Sequence, residues 1–355
     1  MKIKLGKKII SKNSPTYFIA DIAANHDGSL VRAKKLIKLC AKGGANAAKF
    51  QHFKAETIVL DEGFKKIGKI SHQKNWKKSV SAVYKDASIN INWTKELKKE
   101  CKKYNIDFLT APYDLEYVDE VNKFIPAFKI GSGDITWKEI IIKIAKKNKP
   151  VLLACGASTL NETLNTVNLI RRYNKKIVLM QCNTNYTNDH SNLNFINLNV
   201  INQFKKIFKD KIILGLSDHT AGHSSVLGAI SFGARVIEKH FTDDNNREGP
   251  DHKFSLNPYD WKKMVSASRE LEKCLGDGYK KLEKNELKSV IVQRRGTWTN
   301  KNLKKGSRLK ITDLKFLRPC PNNSISPFFI DKFIGKKIKK NLKKNSLLTK
   351  KCITL

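Results

Sequence analysis

Ile212–Thr220 reads I-I-L-G-L-S-D-H-T and Ala234–Thr242 reads A-R-V-I-E-K-H-F-T, two apolar runs that close on His219 and His240. Runs that are apolar throughout belong to strands covered on both faces, as in a parallel sheet. If these two are neighbouring strands, both imidazoles emerge at the same end of the sheet, where a metal ion and its substrate can be held together. A single strand-end histidine more often packs or hydrogen-bonds locally. Two in one topological position, each beside a charged residue (Asp218, Lys239), favour a metal site.

Working outward, six further runs of the same texture precede these two: Tyr17–Ala23, Asn46–Gln51, Asp107–Pro112, Ala127–Gly133, Pro150–Gly156 and Ile177–Cys182. Between the runs lie amphipathic stretches, Leu30–Lys42, Trp93–Tyr104, Leu115–Phe124, Trp137–Lys147, Leu160–Tyr173 and Ser224–Phe232, apolar at three- and four-residue spacing. Eight strand-then-helix units fit a closed (β/α)8 TIM barrel better than an open sheet. The expected organisation is a barrel over 1–275, a linker over 276–290 and a small β-rich domain over 291–355, too short for a large core of its own.

The strand tips carry polar residues: Asp21, Lys49, Thr110, Lys129 with Ser132 and Asp134, Cys182 with Asn183, and Ser217 with His219. In a barrel such tips meet at one mouth. Lysines with hydroxyls are an inventory for phosphate or carboxylate. The competing use of either lysine is a structural ion pair with Asp21, Asp134 or Glu238. Two lysines buried only for stability are harder to justify, because desolvation consumes most of the gain. Asp21 and Asp134 are candidates for acid–base work. Asn25–Ser29 (N-H-D-G-S) reads as a tight turn with Ser29 capping the helix that follows. Gly249-Pro250-Asp251 is a rigid turn that aims a carboxylate shortly after the last strand. His52–Ser88 is long for a connection, the length of a lid or of a basic loop. Cys155 and Cys182 read as inert buried thiols.

Bulk properties limit the alternatives. No run of about 18 apolar residues exists and the N-terminus lacks an apolar segment behind its lysines, so a soluble cytoplasmic protein is expected. Seven cysteines without a C-x-x-C pair suggest neither a disulfide framework nor a structural zinc. Of the formal charge of +37, +16 lies from Ile291 onward, where 18 Lys and Arg face two acids, and the rest is spread thinly along the chain; no aromatic interleaving or nucleic-acid motif accompanies it. A non-catalytic barrel that binds polyanions through that segment is the rival from a different class.

The motifs I-A-D-I-A-A-N-H-D-G, A-K-F-Q, T-A-P-Y-D, F-K-I-G-S-G-D, G-L-S-D-H-T, V-I-E-K-H-F-T and R-E-G-P-D-H resemble, in order and spacing, the N-acetylneuraminate (sialic acid) synthase family. R-R-G-T-W and L-K-K-G near the C-terminus resemble its antifreeze-like (SAF) domain. The resemblance implies condensation of phosphoenolpyruvate with an N-acyl hexosamine, such as N-acetylmannosamine, to a nine-carbon 2-keto acid and phosphate, requiring Mn2+ or Mg2+. It implies that His219 and His240 hold the metal, and that Lys49, Thr110, Lys129, Ser132 and Ser217 hold phosphoenolpyruvate. Tyr186 and Asp251 would line the acceptor region, with Asn183 or Asn185 beside them. Arg318 would reach a partner's barrel, which implies a domain-swapped homodimer. Legionaminic- or pseudaminic-type synthesis with another acceptor is the same-class alternative.

Five places depart from that pattern. Asp21 and Asp134 stand where glutamate is usual, each retracting a carboxylate by about 1.5 Å. Ala154 replaces a hydroxyl residue before Cys155-Gly156. Cys182-Asn183-Thr184-Asn185-Tyr186 differs from the usual C-T-N-x-Y. Arg318-Pro319-Cys320-Pro321 lacks the usual glycine.

Overall fold

The computed structural model describes residues 1–354 apart from 69, 71, 72 and 75. It divides into two compact units, Met1–Gly276 and Asp277–Leu355.

The first unit begins with an antiparallel hairpin, β1 (Lys2–Leu5) and β2 (Lys8–Ser11), turned at Gly6 in the left-handed region (φ 53°). Then follow eight barrel strands: β3 (Tyr17–Asp21), β4 (Ala47–His52), β5 (Asp107–Pro112), β6 (Phe128–Ile130), β7 (Val151–Ala154), β8 (Ile177–Cys182), β9 (Ile213–Asp218) and β10 (Val236–His240). All pairs are parallel, and β10 returns to β3 to close the barrel. His240 lies opposite Asp21 in that closing pair, and Asp21 lies opposite Lys49 in the next. The two histidine-ended runs are neighbours, since β9 pairs with β10.

Strand parity sorts the barrel into two apolar regions. One face of each strand, with Phe18, Ala20, Phe50, Phe108 and Ile237, packs against the helical layer. The other, with Tyr17, Ile19, Ala47, Leu109, Val178, Met180 and Val236, fills the lower lumen. The hairpin contributes Ile3, Leu5 and Ile10 to that same cluster, each at most 2% exposed, so β1 and β2 plug the floor. Sequence reasoning assigned the N-terminus no such role. Its alternation over four-residue strands is too short a signal to separate from a charged tail.

Helices begin where side chains cap them. Ser29 accepts the amide of Arg32 at the start of Leu30–Lys42, as the N-H-D-G-S turn suggested. A capping box, Thr159 with Glu162, opens Leu160–Arg171. Asn257 caps Pro258–Cys274, whose Trp261 is fully buried edge-on against Phe241. The long connection after β4 is not structureless: it forms Ala55–Ile58, Asp61–Ile67 and Val80–Ala87. Part of its S-H-Q-K-N-W-K-K-S stretch lies outside the described residues. No helix among the described residues is long and apolar enough to cross a membrane.

The second unit pairs β11 (Gly296–Thr299) with β12 (Leu314–Leu317) antiparallel, and isolated bridges such as Trp298–Leu347 and Leu303–Leu342 complete a loop-rich β structure. It has an apolar cluster of its own, including Leu309, Ile338, Leu348 and Ile353. Within 276–290, read from composition as a linker, Lys284–Glu286 forms a 3-10 turn and Leu287 begins a helix that runs to Gln293. In this unit Arg318 donates from Nε to the Gln293 carbonyl at 2.5 Å.

Candidate active site

At the C-terminal mouth of the barrel a cavity of about 360 Å³ is lined by Asp21, Lys49, Lys129, Ser132, Asp134 and Tyr186, and by Ser217, His219, His240 and Asp251. These ten come from six strands and the loops that follow them. The chain therefore assembles in space what the sequence scatters over more than two hundred positions.

Parity explains the convergence. On β10, Glu238 and His240 share the inner face while Lys239 faces outward, where its Nζ meets Asp218 Oδ2 at 2.6 Å in full burial. Ser225 and Thr220 donate to the same Asp218 carboxylate. The charged neighbours that drew attention to the histidines thus form a structural pair behind the barrel wall. On β9 the same rule turns Ser217 inward, where its hydroxyl donates to Glu238 Oε1 at 3.1 Å.

Lys49 Nζ lies 2.7 Å from Asp21 Oδ2 and 3.9 Å from Glu238 Oε1. Burial opposes its charge, but Asp21 and Glu238 outweigh burial and hold its pKa above the ordinary lysine value. Lys129 donates to the Ile130 carbonyl and stands 3.7 Å from Glu238. Glu238 therefore sits between two lysines, with Oε2 buried and without a hydrogen-bond partner among the described residues. Asp134 is pushed up to about 6 by burial, with Lys129 pulling the other way.

His219 and His240 stack obliquely, ring centroids 5.4 Å apart, under Tyr186 and Phe254. His219 Nδ1 faces the Asn183 carbonyl at 2.8 Å, the second-sphere contact that leaves Nε2 available as a ligand. His240 Nε2 is 3.5 Å from Asp21 Oδ2 and Nδ1 is 3.8 Å from Asp251 Oδ2. Burial pushes His240 down to about 3, so its ring is neutral and its lone pair free for a cation. Its Nδ1 is buried without a hydrogen bond among the described residues. No group of three or more His, Cys, Asp or Glu is set to enclose a metal among the described residues. The two imidazoles with Asp251 nearby could hold a cation only in an open site, its other positions left to water or a ligand.

Three of the expected site residues lie elsewhere. Thr110 does not line the cavity: Leu109 occupies the inner face of β5, so Thr110 points outward and bonds the Phe50 carbonyl and His52 Nδ1. Asn183 and Asn185 shape the loop after β8 instead of facing the cavity. Asn183 Oδ1 accepts the amide of Asn185, and Asn185 Oδ1 that of Thr187. Both line a separate pocket of about 550 Å³. That pocket is larger, yet its wall holds no lysine, carboxylate or imidazole among the described residues, so its chemistry is poorer.

Other lining residues were missed. Glu238 was legible two positions before His240 on one strand face, and Tyr113 directly after β5. Trp76, Val83 and Tyr84 form a wall from the long connection, which no strand pattern announces. Tyr113 reaches the cavity across Gly131, where an added Cβ would stand 2.8 Å from its hydroxyl.

Comparison with known proteins agrees with this geometry. Residues 36–280 match the NeuB family and residues 294–354 match the SAF domain. The chain is 38% identical to the N,N'-diacetyllegionaminic acid synthase of Campylobacter jejuni, over 94% of this chain and 98% of that one. It is 32% identical to the pseudaminic acid synthase of the same organism, over 92% and 93%. A crystal structure of N-acetylneuraminic acid synthetase from Leptospira borgpetersenii superposes with a TM-score of 0.71 at 27% identity, covering 82% of this chain and 95% of that one. With a closed parallel barrel, a lysine- and carboxylate-lined mouth and a C-terminal SAF domain, the chain belongs to the NeuB family of sugar-acid synthases.

Proposed function

We propose that this enzyme joins C3 of phosphoenolpyruvate to the aldehyde carbon of an open-chain N-acylated amino sugar, giving a nonulosonic acid and inorganic phosphate. The observation that carries the reading is the convergence of Lys49 and Lys129 with Asp134 and the histidine pair on one cavity. Lys49 and Lys129 supply charge for the phosphate and carboxylate, and Ser132 and Ser217 supply short directional bonds. Until substrate arrives, Glu238 balances the two lysines. Water then adds at C2 and the C–O bond to phosphate breaks. Asp134, titrating near 6, can give a proton to the forming hydroxyl and take one from that water near neutral pH.

His219 and His240 would hold Mn2+ or Mg2+, which supplies Lewis-acid polarisation of the aldehyde oxygen when bound. Asp251 and Tyr186 border the same space. Arg318 of a second copy would complete the acceptor site, so the working unit is a domain-swapped homodimer. Light scattering of the intact protein, together with loss of acceptor affinity in Arg318→Ala, tests that element.

The acceptor is an N-acyl hexosamine. A di-N-acetylated sugar is favoured over N-acetylmannosamine by the 38% identity to a synthase whose named product carries two N-acetyl groups. The test is phosphate release over a panel of mono- and di-N-acylated hexosamines, with products identified by mass spectrometry. Release must depend jointly on phosphoenolpyruvate, acceptor and Mn2+. If no sugar in the panel supports it, the reading fails. Salt-sensitive RNA binding in its place would favour the polyanion-binding rival.

A further inference from the structure

We propose that His252 is a positioning residue of this site, tying the loop after β3 to the loop after β10 so that Asp251 is held beside His240. The proposal rests on the functional reading above for what Asp251 does, but not for the geometry. His252 is fully buried, and both ring nitrogens are engaged: Nε2 lies 2.8 Å from Asp27 Oδ1 and Nδ1 lies 2.7 Å from Thr242 Oγ1. The arrangement has the residue types of a hydrolytic triad, yet its imidazole and hydroxyl are fully buried and cannot receive a substrate. Its consequence is mechanical. The strands that carry the two loops, β3 and β10, are the pair that closes the barrel.

Asp27 is the hub of the first loop. Arg32 Nε stands 3.0 Å and Arg247 2.8 Å from its other oxygen. Arg32 also pairs with Asp243 at the start of the second loop. Asp27 itself sits at φ 49°, a conformation asparagine and aspartate tolerate better than other side chains.

One residue along the chain from His252, Asp251 points the opposite way. Its Oδ2 accepts the Ala24 amide at 3.2 Å and lies 3.8 Å from His240 Nδ1. Its carbonyl accepts the Ser255 hydroxyl, which in turn receives Asn25 Nδ2. Adjacent residues thus face an anchor and an active site, so rotation at His252 moves Asp251. Gly249 fits the same plan: a Cβ there would meet His252 Cδ2 at 2.6 Å, so only glycine lets the turn lie flat over the ring.

The test compares wild type with His252→Leu, Thr242→Val and Asp27→Asn, each alone and combined with Asp251→Asn. Second-sphere losses are commonly about 10–100-fold. The expected result is an acceptor kcat/KM lowered about tenfold or more, with KM for phosphoenolpyruvate within about twofold of wild type. Thr242→Ser, which keeps the hydroxyl, should recover most of what Thr242→Val loses. In the Asp251→Asn background His252→Leu should add no further loss. Independent, multiplying losses, or equal damage to both substrates, would overturn the proposal. Should His252→Leu not fold, Asp27→Asn carries the same comparison.

Hydrogen exchange of residues 243–256 separates this proposal from the functional one. Faster exchange there in His252→Leu or Asp27→Asn supports the clamp even if the wild type proves inactive on every sugar tried. Unchanged exchange overturns it.

Discussion

Lys49 Nζ and Asp21 Oδ2 are 2.7 Å apart, with each side chain at most 3% exposed, and the same Asp21 oxygen lies 3.5 Å from His240 Nε2. The Asp21 carboxylate is therefore seated against a lysine and a histidine at the edge of the cavity. Lys49→Met should cost about 3–5 kcal/mol by stranding Asp21 in a buried site. It should also raise KM for phosphoenolpyruvate. Urea unfolding and initial rates check both. Asp21→Glu with Asp134→Glu should not bring turnover of N-acetylmannosamine to the level of the sialic acid synthases, since a longer side chain must displace Lys49 or His240. A family-like rate in that double variant would refute the argument.

Asp134 gives the pH dependence. Burial lifts its carboxyl to about 6 in the folded protein, against an ordinary value near 4 in the unfolded chain. Both states hold the proton below about pH 4, so no cost arises there. Between about pH 4 and 6 the unfolded chain gives up its proton while the folded carboxyl keeps it, so the folded state becomes less stable by on the order of 2 kcal/mol, a cost complete above about pH 6. Asp134→Asn should consequently gain stability over wild type at pH 8 and show no gain at pH 4. Its pH–rate profile should lose the limb with an apparent pKa near 6. Equal stability differences at the two pH values would count against the assignment.

Asp218 and Lys239 are expected to matter for folding and not for substrate. Lys239→Met should destabilise by about 3–5 kcal/mol, because it leaves a buried aspartate with only hydroxyl and amide partners. Asp218→Leu with Lys239→Met should recover much of that loss, while KM for both substrates stays near wild type. A selective rise in either KM would mean that the outer pair reaches the cavity.

The floor hairpin offers a packing test. Ile3→Ala and Ile10→Ala should each cost about 2–5 kcal/mol, the range for emptying a buried isoleucine site. Differential scanning calorimetry reads the loss. An unchanged melting temperature would show that the plug contributes nothing to the barrel.

Much of the barrel was legible because each strand is apolar on both faces and bounded by helical periodicity. The runs Asp107–Pro112 and Ile177–Cys182 match the observed strands residue for residue, and the others differ by one to three residues at an end. The site was legible at strand tips, where a polar residue interrupts an apolar run: Asp21, Lys49, Lys129, Ser217, His219 and His240 all reach the cavity. It failed where facing mattered more than position. Thr110 stands at the right height on the wrong face, and Asn183 and Asn185 spend their side chains on turns.

By itself the sequence determined that eight buried parallel strands would close and bring one set of polar tips together, because hydrophobic pattern and chain direction are local properties. Which tip residues share a surface was decided only by tertiary structure. Alternation turns Glu238 inward between two lysines and sends Lys239 outward to Asp218. Closure of β10 on β3 then sets residues more than two hundred positions apart, His240 and Asp21, within 3.5 Å. Distances of that kind depend on strand register, and register is a property of the folded barrel as a whole.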